Sequence, residues 1–192
     1  MSTINFARKE ISFKIVYYGP AMSGKTTNLR QIYSGLSDKV KGDFTSIATE
    51  TERTLFFDFL PLELGSIKGF TIRLSLYTVP GQYIYRLTRK SVLRATDGIV
   101  FVADSQMEKR EENIESFKDM LENLIDFGED PDSIPIVLQY NKRDLDNILT
   151  VEELEQDLNP NKKYQYFEAI AAKGINVVET LKTITKLVVQ KA

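Results

Sequence analysis

Cysteine and histidine are both absent from the 192 residues. Without cysteine there is no disulfide, no thiolate metal site and no cysteine nucleophile, a composition that suits a reducing compartment. Without histidine, no imidazole of this chain can act as base, acid or metal ligand. A basic excess is missing as well. The 25 Lys and Arg stand against 27 Asp and Glu, a formal net charge of −2, so nucleic acid is not expected as a partner. No apolar run approaches the length of a membrane span, and the opening MSTINFARKE has no hydrophobic segment of the kind a signal peptide carries. Ser2 stands where myristoylation needs glycine, and the tail LVVQKA offers no cysteine to prenylate. The expectation is a cytoplasmic protein with no direct membrane anchor. What remains is an ordinary globular composition, 42% hydrophobic and 27% charged, and a length at which residues 1–192 are expected to form a single domain.

Residues 11–18 (ISFKIVYY) are rich in β-branched and aromatic side chains and run into a Gly/Pro turn, which predicts a buried strand. Leu29, Ile32, Tyr33 and Leu36 follow at the spacing of one helix face. Two apolar runs, 54–64 and 70–79, are joined by GSIKG at 65–69, a connection suited to an antiparallel hairpin. GIVFVAD at 98–104 and PIVLQYN at 135–141 are short continuous apolar runs, as expected of strands covered on both faces. Ile114, Phe117, Leu121, Leu124 and Ile125 mark a helix between them. A last strand near 165–171 leads into a helix on Val177, Val178, Leu181, Ile184 and Val188. Strands alternating with helices predict an α/β fold, a mostly parallel sheet wrapped by helices. Segments 38–46 and 83–90 are read as mobile loops.

Residues 19–26 read GPAMSGKT, a full match to G-x-x-x-x-G-K-[ST] between a predicted strand and a predicted helix. Such a loop turns backbone N–H groups onto phosphates at a helix start. Gly19, Ala21, Ser23, Gly24, Lys25, Thr26 and the adjoining Thr27 are therefore expected to line a nucleotide. Lys25 would reach the β- and γ-phosphates, and the Thr26 hydroxyl would ligate Mg²⁺. The bland alternative is a glycine turn that only joins strand to helix.

A cradle alone fits kinases, ATPases and GTPases. Asn141, Lys142, Arg143 and Asp144 spell NKRD at the end of the 135–141 strand, matching the N-K-x-D signature of GTPases. The Asp144 carboxylate can accept hydrogen bonds from the ring N–H and exocyclic amine of guanine, a donor pair that adenine lacks. The Lys142 stem can lie along the base, and Asn141 can tie this loop to the cradle.

With both motifs in place the chain resembles the Ras superfamily over nearly its whole length, and within it the bacterial MglA branch. That resemblance implies a P-loop G domain with a six-stranded, mostly parallel sheet, one antiparallel edge strand and helices on both faces. It implies GTP/GDP and Mg²⁺ as cofactors and slow hydrolysis of GTP to GDP and phosphate. TVPGQ at 78–82 stands where most members carry D-x-x-G-Q. By that resemblance Gly81 binds the γ-phosphate and Gln82 positions the attacking water, while Thr78 replaces the usual metal-site Asp, a departure typical of the MglA branch. In TETERTLFFDF (49–59), Thr54 is the candidate for the switch threonine that binds Mg²⁺. Arg53 reads either as a transition-state arginine or as a solvated charge at a strand start. Ala171, Ala172 and Lys173 stand where the family has S-A-K, with the backbone N–H of Ala172, or of Ala171 one residue earlier, on the guanine carbonyl. Ala21 occupies a position where many members have glycine, so its methyl group is expected to crowd the γ-phosphate and to slow hydrolysis without a partner. The catalytic set is thus Gln82, Arg53 and Lys25, and the metal set Thr26 and Thr54.

The same resemblance implies a Roadblock-type, MglB-like dimer as activator or exchange factor, polarity or motility effectors, and recruitment to the cell pole through partners. Two rival functions stay open at this point: a non-hydrolysing GTP/GDP-binding module, and a P-loop kinase or ATPase. Tyr83, Ile84, Tyr85 and Leu87 beside the switch glycine are read either as a docking surface or as packed on the sheet. Residues 56–64 pose a similar question, because that strand is expected at the sheet edge.

Overall fold

Alternate residues of one central strand divide the core in two. Phe13, Ile15 and Tyr17 pack with Leu29, Ile32, Leu181, Ile184 and Val188 on one side, whereas Val16 and Tyr18 pack with Leu93, Phe117, Met120, Leu124 and Leu154 on the other. This follows from the two-residue period of a strand, and it explains why the run is apolar on both faces. The neighbouring strands repeat the division, with Val100 and Val102 facing the first cluster and Ile99, Phe101 and Ala103 the second.

The computed structural model describes residues 3–37, 39–48, 54–80 and 86–192, and the side chains of all of these except 3, 46–48, 54–56 and 86. The strands are β1 (Thr3–Asn5), β2 (Glu10–Tyr18), β3 (Thr45–Ala48), β4 (Thr54–Ile67), β5 (Phe70–Thr78), β6 (Gly98–Asp104), β7 (Ile136–Asn141) and β8 (Gln165–Glu168). The helices are α1 (Lys25–Gly35), α2 (Arg86–Leu93), α3 (Arg110–Asp126), α4 (Val151–Leu158) and α5 (Val177–Lys191). One sheet holds all the strands in the order β3-β4-β5-β2-β6-β7-β8, with β1 antiparallel on the start of β2. From β5 to β8 the pairing is parallel. The carboxyl ends of these strands therefore open on one side, where ligands of α/β sheets bind. α1 and α5 cover one face, and α2, α3 and α4 the other.

The α/β, mostly parallel architecture is the one expected, but among the described residues the sheet has eight strands rather than six. The additions are β1 and β3, three and four residues long and too short to stand out as patterns. β3 changes one expectation. Residues 56–64 do not form an open edge, because β3 pairs antiparallel with β4 and the Gly42 and Glu63 amides exchange backbone hydrogen bonds with Pro61 and Val40 at 2.9 and 2.7 Å. The β4–β5 hairpin turns on Lys68 and Gly69 alone, both at positive φ (50° and 82°), which suits the twist of a tight two-residue hairpin. Gly65 marks a register shift within β4 instead of belonging to the turn.

Two helices went unread. α2 begins at Arg86, inside the segment expected to be a loop, and its buried positions include the cation Arg89, which hides it from apolar periodicity. α4 is only eight residues long and is set by a capping box in which Thr150 and Glu153 satisfy each other's backbone N–H groups. In α3, Ile125 points outward at 61% exposure, and Met120 is fully buried in the core that Ile125 was expected to join.

Candidate nucleotide site

β2 ends at Tyr18 and the chain turns at once. Gly19 has φ 143° and Gly24 φ 102°; a Cβ on Gly19 would lie 2.2 Å from the Val102 carbonyl oxygen, and one on Gly24 2.2 Å from Asn141 Nδ2. Only glycine fits at either place. α1 then starts at Lys25 with no side-chain cap and no acidic residue in its first turn. Its leading N–H groups are the orphan donors that a phosphate satisfies. The Ser23 Oγ is fully buried and has no hydrogen-bond partner, a cost that a bound phosphate would relieve. Cradle, helix start and orphaned hydroxyl all fit a nucleotide.

Lys25 is buried to 6% exposure, and its Nζ donates to the Gly19 and Pro20 carbonyls at 2.9 and 2.6 Å. Burial pulls its ammonium down from 10.5 to about 7; repulsion from Arg89 and Lys142 acts in the same direction, and Asp58 opposes it. A cation held this way is primed to gain from an arriving anion. Thr26 opens the helix beside it, with its Oγ1 donating to Asp58 Oδ2 at 2.6 Å. A hydroxyl that gives its only proton to a carboxylate acts toward other groups as an acceptor, the chemistry of a cation ligand, so Thr26 fits the metal role expected of it. Thr27 lies in the same first turn and Ala21 in the preceding loop.

The end of β7 meets the cradle through one side chain. Asn141 Nδ2 donates to the Ser23 carbonyl at 2.7 Å, and its Oδ1 accepts the Ala171 N–H at 2.8 Å. Below it Asn28 donates to the Gly24 carbonyl and to Gln139, and Gln139 returns a bond to Asn28 and another to Thr180. This buried chain joins α1, β7 and α5. Lys142 has φ 66° and its Nζ pairs with the fully buried Asp104 at 2.6 Å. Asp144 pairs with Lys173 at 3.0 Å, and the Lys173 hydrogen bond holds its carboxyl below the usual range. Ala171, Ala172 and Lys173 form a short 3₁₀ turn. The Ala171 N–H is taken by Asn141.

The structure thus brings Gly19, Ser23, Gly24, Lys25, Thr26, Asn141, Lys142, Asp144, Ala171 and Ala172 to one end of the sheet. Arg53, Gly81, Gln82, Tyr83, Ile84 and Tyr85 lie outside the described residues, as does the side chain of Thr54, whose backbone starts β4. Leu87 is 81% exposed on α2, while Leu60 and Leu62 are buried. Three polar residues escaped the sequence reading. Asp104 holds Lys142, Asp58 holds Thr26, and Arg89 pairs with Asp119 at 3.2 Å where Tyr18 also donates. Asp58 alone left a signal, a single charge inside the apolar run LFFDFL.

Residues 14–190 match the model of the Ras family. The chain belongs to the Ras family. This Ras-family GTPase is 53% identical over 188 residues, 98% of its own chain and 96% of the other, to the mutual gliding-motility protein MglA of Myxococcus xanthus (strain DK1622). It is 26% identical to the Ras-related protein Rab-7a of Dictyostelium discoideum, covering 93% and 83% of the two chains. It is 28% identical to the ADP-ribosylation factor-like protein 4A of Homo sapiens, covering 94% and 85%. The chain is an MglA-like small GTPase, a GTP-binding switch.

Proposed function

We propose that residues 1–192 form a single G domain that binds GTP or GDP with Mg²⁺, hydrolyses GTP slowly when alone, and controls surface motility or cell polarity. The single observation that carries the nucleotide assignment is the Asn141 bridge. One side chain holds both the cradle, at Ser23, and the 3₁₀ turn, at Ala171, so phosphate and base contacts are fixed relative to each other. A site for a whole nucleotide needs that fixed span.

In this reading Gly19, Ala21, Ser23, Gly24, Thr27 and Gly81 surround the phosphates. Lys25 neutralises charge on them; Asp144 and Ala172 read the base edge, with Lys142 along its face. Thr26 and Thr54 hold the metal, which when bound supplies positive charge at the phosphate oxygens. Gln82 orients the attacking water, and Arg53 reaches the phosphoryl oxygens in the transition state. Ordering of the segments around Thr54 and Gly81 by the γ-phosphate, and their release on hydrolysis, provides the switch. The motility role follows the name of the Myxococcus relative. A Roadblock-type dimer as regulator, recruitment to the pole and a cytoplasmic location are what the resemblance to the MglA branch implies. Among the described residues no helix is long and apolar enough to cross a membrane.

Competition of GTP, GDP and ATP for a fluorescent guanine nucleotide, with phosphate release measured for the native protein and for Gln82→Leu, tests this directly. Displacement by GTP and GDP but not ATP, with release lost in Gln82→Leu, is expected. Equal displacement by ATP would remove the guanine assignment, and no release even with a Roadblock-type partner would leave a binding module.

A further inference from the structure

Charge is unevenly divided along this chain. Residues 107–159 hold 16 Asp and Glu against 5 Lys and Arg, whereas the remaining residues hold 11 against 20. The acidic stretch contains α3, β7 and α4, and both helices lie on the same face of the sheet. A surface of this sign repels nucleic acid and anionic lipid, and it draws basic partners.

α4 sorts its acids to two flanks. Glu153 and Asp157 face α3, where Arg110 meets them at 3.8 and 2.8 Å. Glu152 and Glu155 lie on the other flank, beside β8, and among the described residues no Lys or Arg forms an ion pair with either. Together with Gln156 of α4, Lys162 of the loop beyond it and Tyr166 of β8, they line a groove of about 460 Å³. None of these residues belongs to the nucleotide site.

Two parts of the groove are fixed by one buried support. The Tyr166 ring stacks on the buried Tyr140, with centroids 5.2 Å apart and 23° between the planes, yet Tyr166 keeps 41% of its surface exposed. Tyr140 donates its hydroxyl proton to Glu155, and Asn159 Nδ2 donates to the two Glu155 oxygens at 3.1 and 3.2 Å. Groups held in place before a ligand arrives lose little freedom on binding it.

An aromatic ring beside carboxylates suits a guanidinium. The planar cation stacks on the ring while its N–H groups pair with carboxylate oxygens, which the compact ammonium of lysine matches less well. Lys162 repels a cation at the loop end of the groove and so directs it toward Glu152. β8 offers four residues of edge, little ladder for a strand to join, so side chains must carry the recognition.

We infer that the groove between α4 and β8 is a docking site for an arginine-bearing segment of a partner protein, with the guanidinium resting on Tyr166 and paired with Glu152 and Glu155. Fluorescence anisotropy on the full chain tests this with a labelled pentapeptide of alternating glycine and arginine and with its glycine-lysine counterpart. The native protein is compared with Tyr166→Leu, Glu152→Gln and Glu122→Gln, the last removing an exposed α3 acid outside the groove. The arginine peptide is expected to bind the native protein more tightly than the lysine peptide. Tyr166→Leu keeps every charge and removes the ring, so the arginine peptide should weaken by about twofold to about thirtyfold with its salt dependence unaltered. Glu152→Gln should weaken both peptides and flatten their salt dependence, and Glu122→Gln should do so less.

Equal affinity for the two peptides, an unchanged arginine affinity in Tyr166→Leu, or equal losses in Glu122→Gln and Glu152→Gln would mark a diffuse acidic surface and overturn the proposal. No binding at millimolar peptide and low salt would overturn it too. So would self-association of the native protein in sedimentation that Tyr166→Leu abolishes, because the groove would then hold a second copy. Should Tyr166→Leu not fold, the two glutamine variants decide by the same comparison.

Discussion

Asn141 and Ser23 are 118 positions apart in sequence and are joined by a buried 2.7 Å hydrogen bond from the Asn141 amide to the Ser23 carbonyl. The loop that follows β7 and the loop that follows β2 are consequently tied to each other. Replacing Asn141 with Ala removes both that bond and the acceptor for the Ala171 N–H, leaving two buried backbone groups without their partner. A loss of about 2 to 4 kcal/mol in unfolding free energy is expected, together with faster GDP release. Urea denaturation and a GDP dissociation assay check the two effects separately.

Gly19→Ala places a methyl carbon where the Val102 carbonyl already sits, at a φ of 143°. The backbone must shift to admit it. Strain of about 1 to 3 kcal/mol and a large loss of nucleotide affinity are the expected results. Gly35→Ala, where an added Cβ meets nothing within 4 Å, is the control and should leave both unchanged or slightly improved.

Lys25 has its folded value lowered, from 10.5 to about 7 by burial above all. Between those limits the unfolded chain holds a proton that the folded chain has released, so the nucleotide-free protein gains stability as pH rises through that window. Lys25→Met should flatten this rise. An arriving phosphate favours the charged ammonium, so nucleotide binding near neutral pH should take up protons. Calorimetric titration in buffers of different ionisation enthalpy measures that uptake.

Asp119 accepts from Tyr18 and faces the buried guanidinium of Arg89. Asp119→Leu takes a carboxylate away from the buried Arg89 charge and from the Tyr18 hydroxyl at once. The expected destabilisation is about 3 kcal/mol, and hydrogen exchange in α2 should accelerate beyond what the global loss explains.

Ala21 lies in the cradle between Pro20 and Met22. Removal of its methyl in Ala21→Gly is expected to speed single-turnover GTP hydrolysis by about tenfold, since small displacements at a reacting phosphate carry penalties of that size. An unchanged rate would show that the methyl is tolerated.

Periodicity and motif carried most of the fold. The apolar run of β2, the helix faces of α1 and α5, and the cradle between them could be read because each repeats a simple spacing. β3 and α4 could not be, being four and eight residues long and stabilised by pairing and capping. α2 was lost because one of its few inward side chains is Arg89, which pairs with Asp119, 30 positions ahead on α3. The same limit governs the site. Lys25, Asn141 and Asp144 belong to motifs, whereas Asp58 and Asp104 gain their places only when strands bring Thr26, Thr78 and Lys142 to them. Pairing across a sheet has no local spacing to read.

The strands that close the sheet are both short. β3 on one flank and β8 on the other each present four residues, a rim of about 13 Å. Rims that small give an extended peptide or a second copy of the chain little ladder to join.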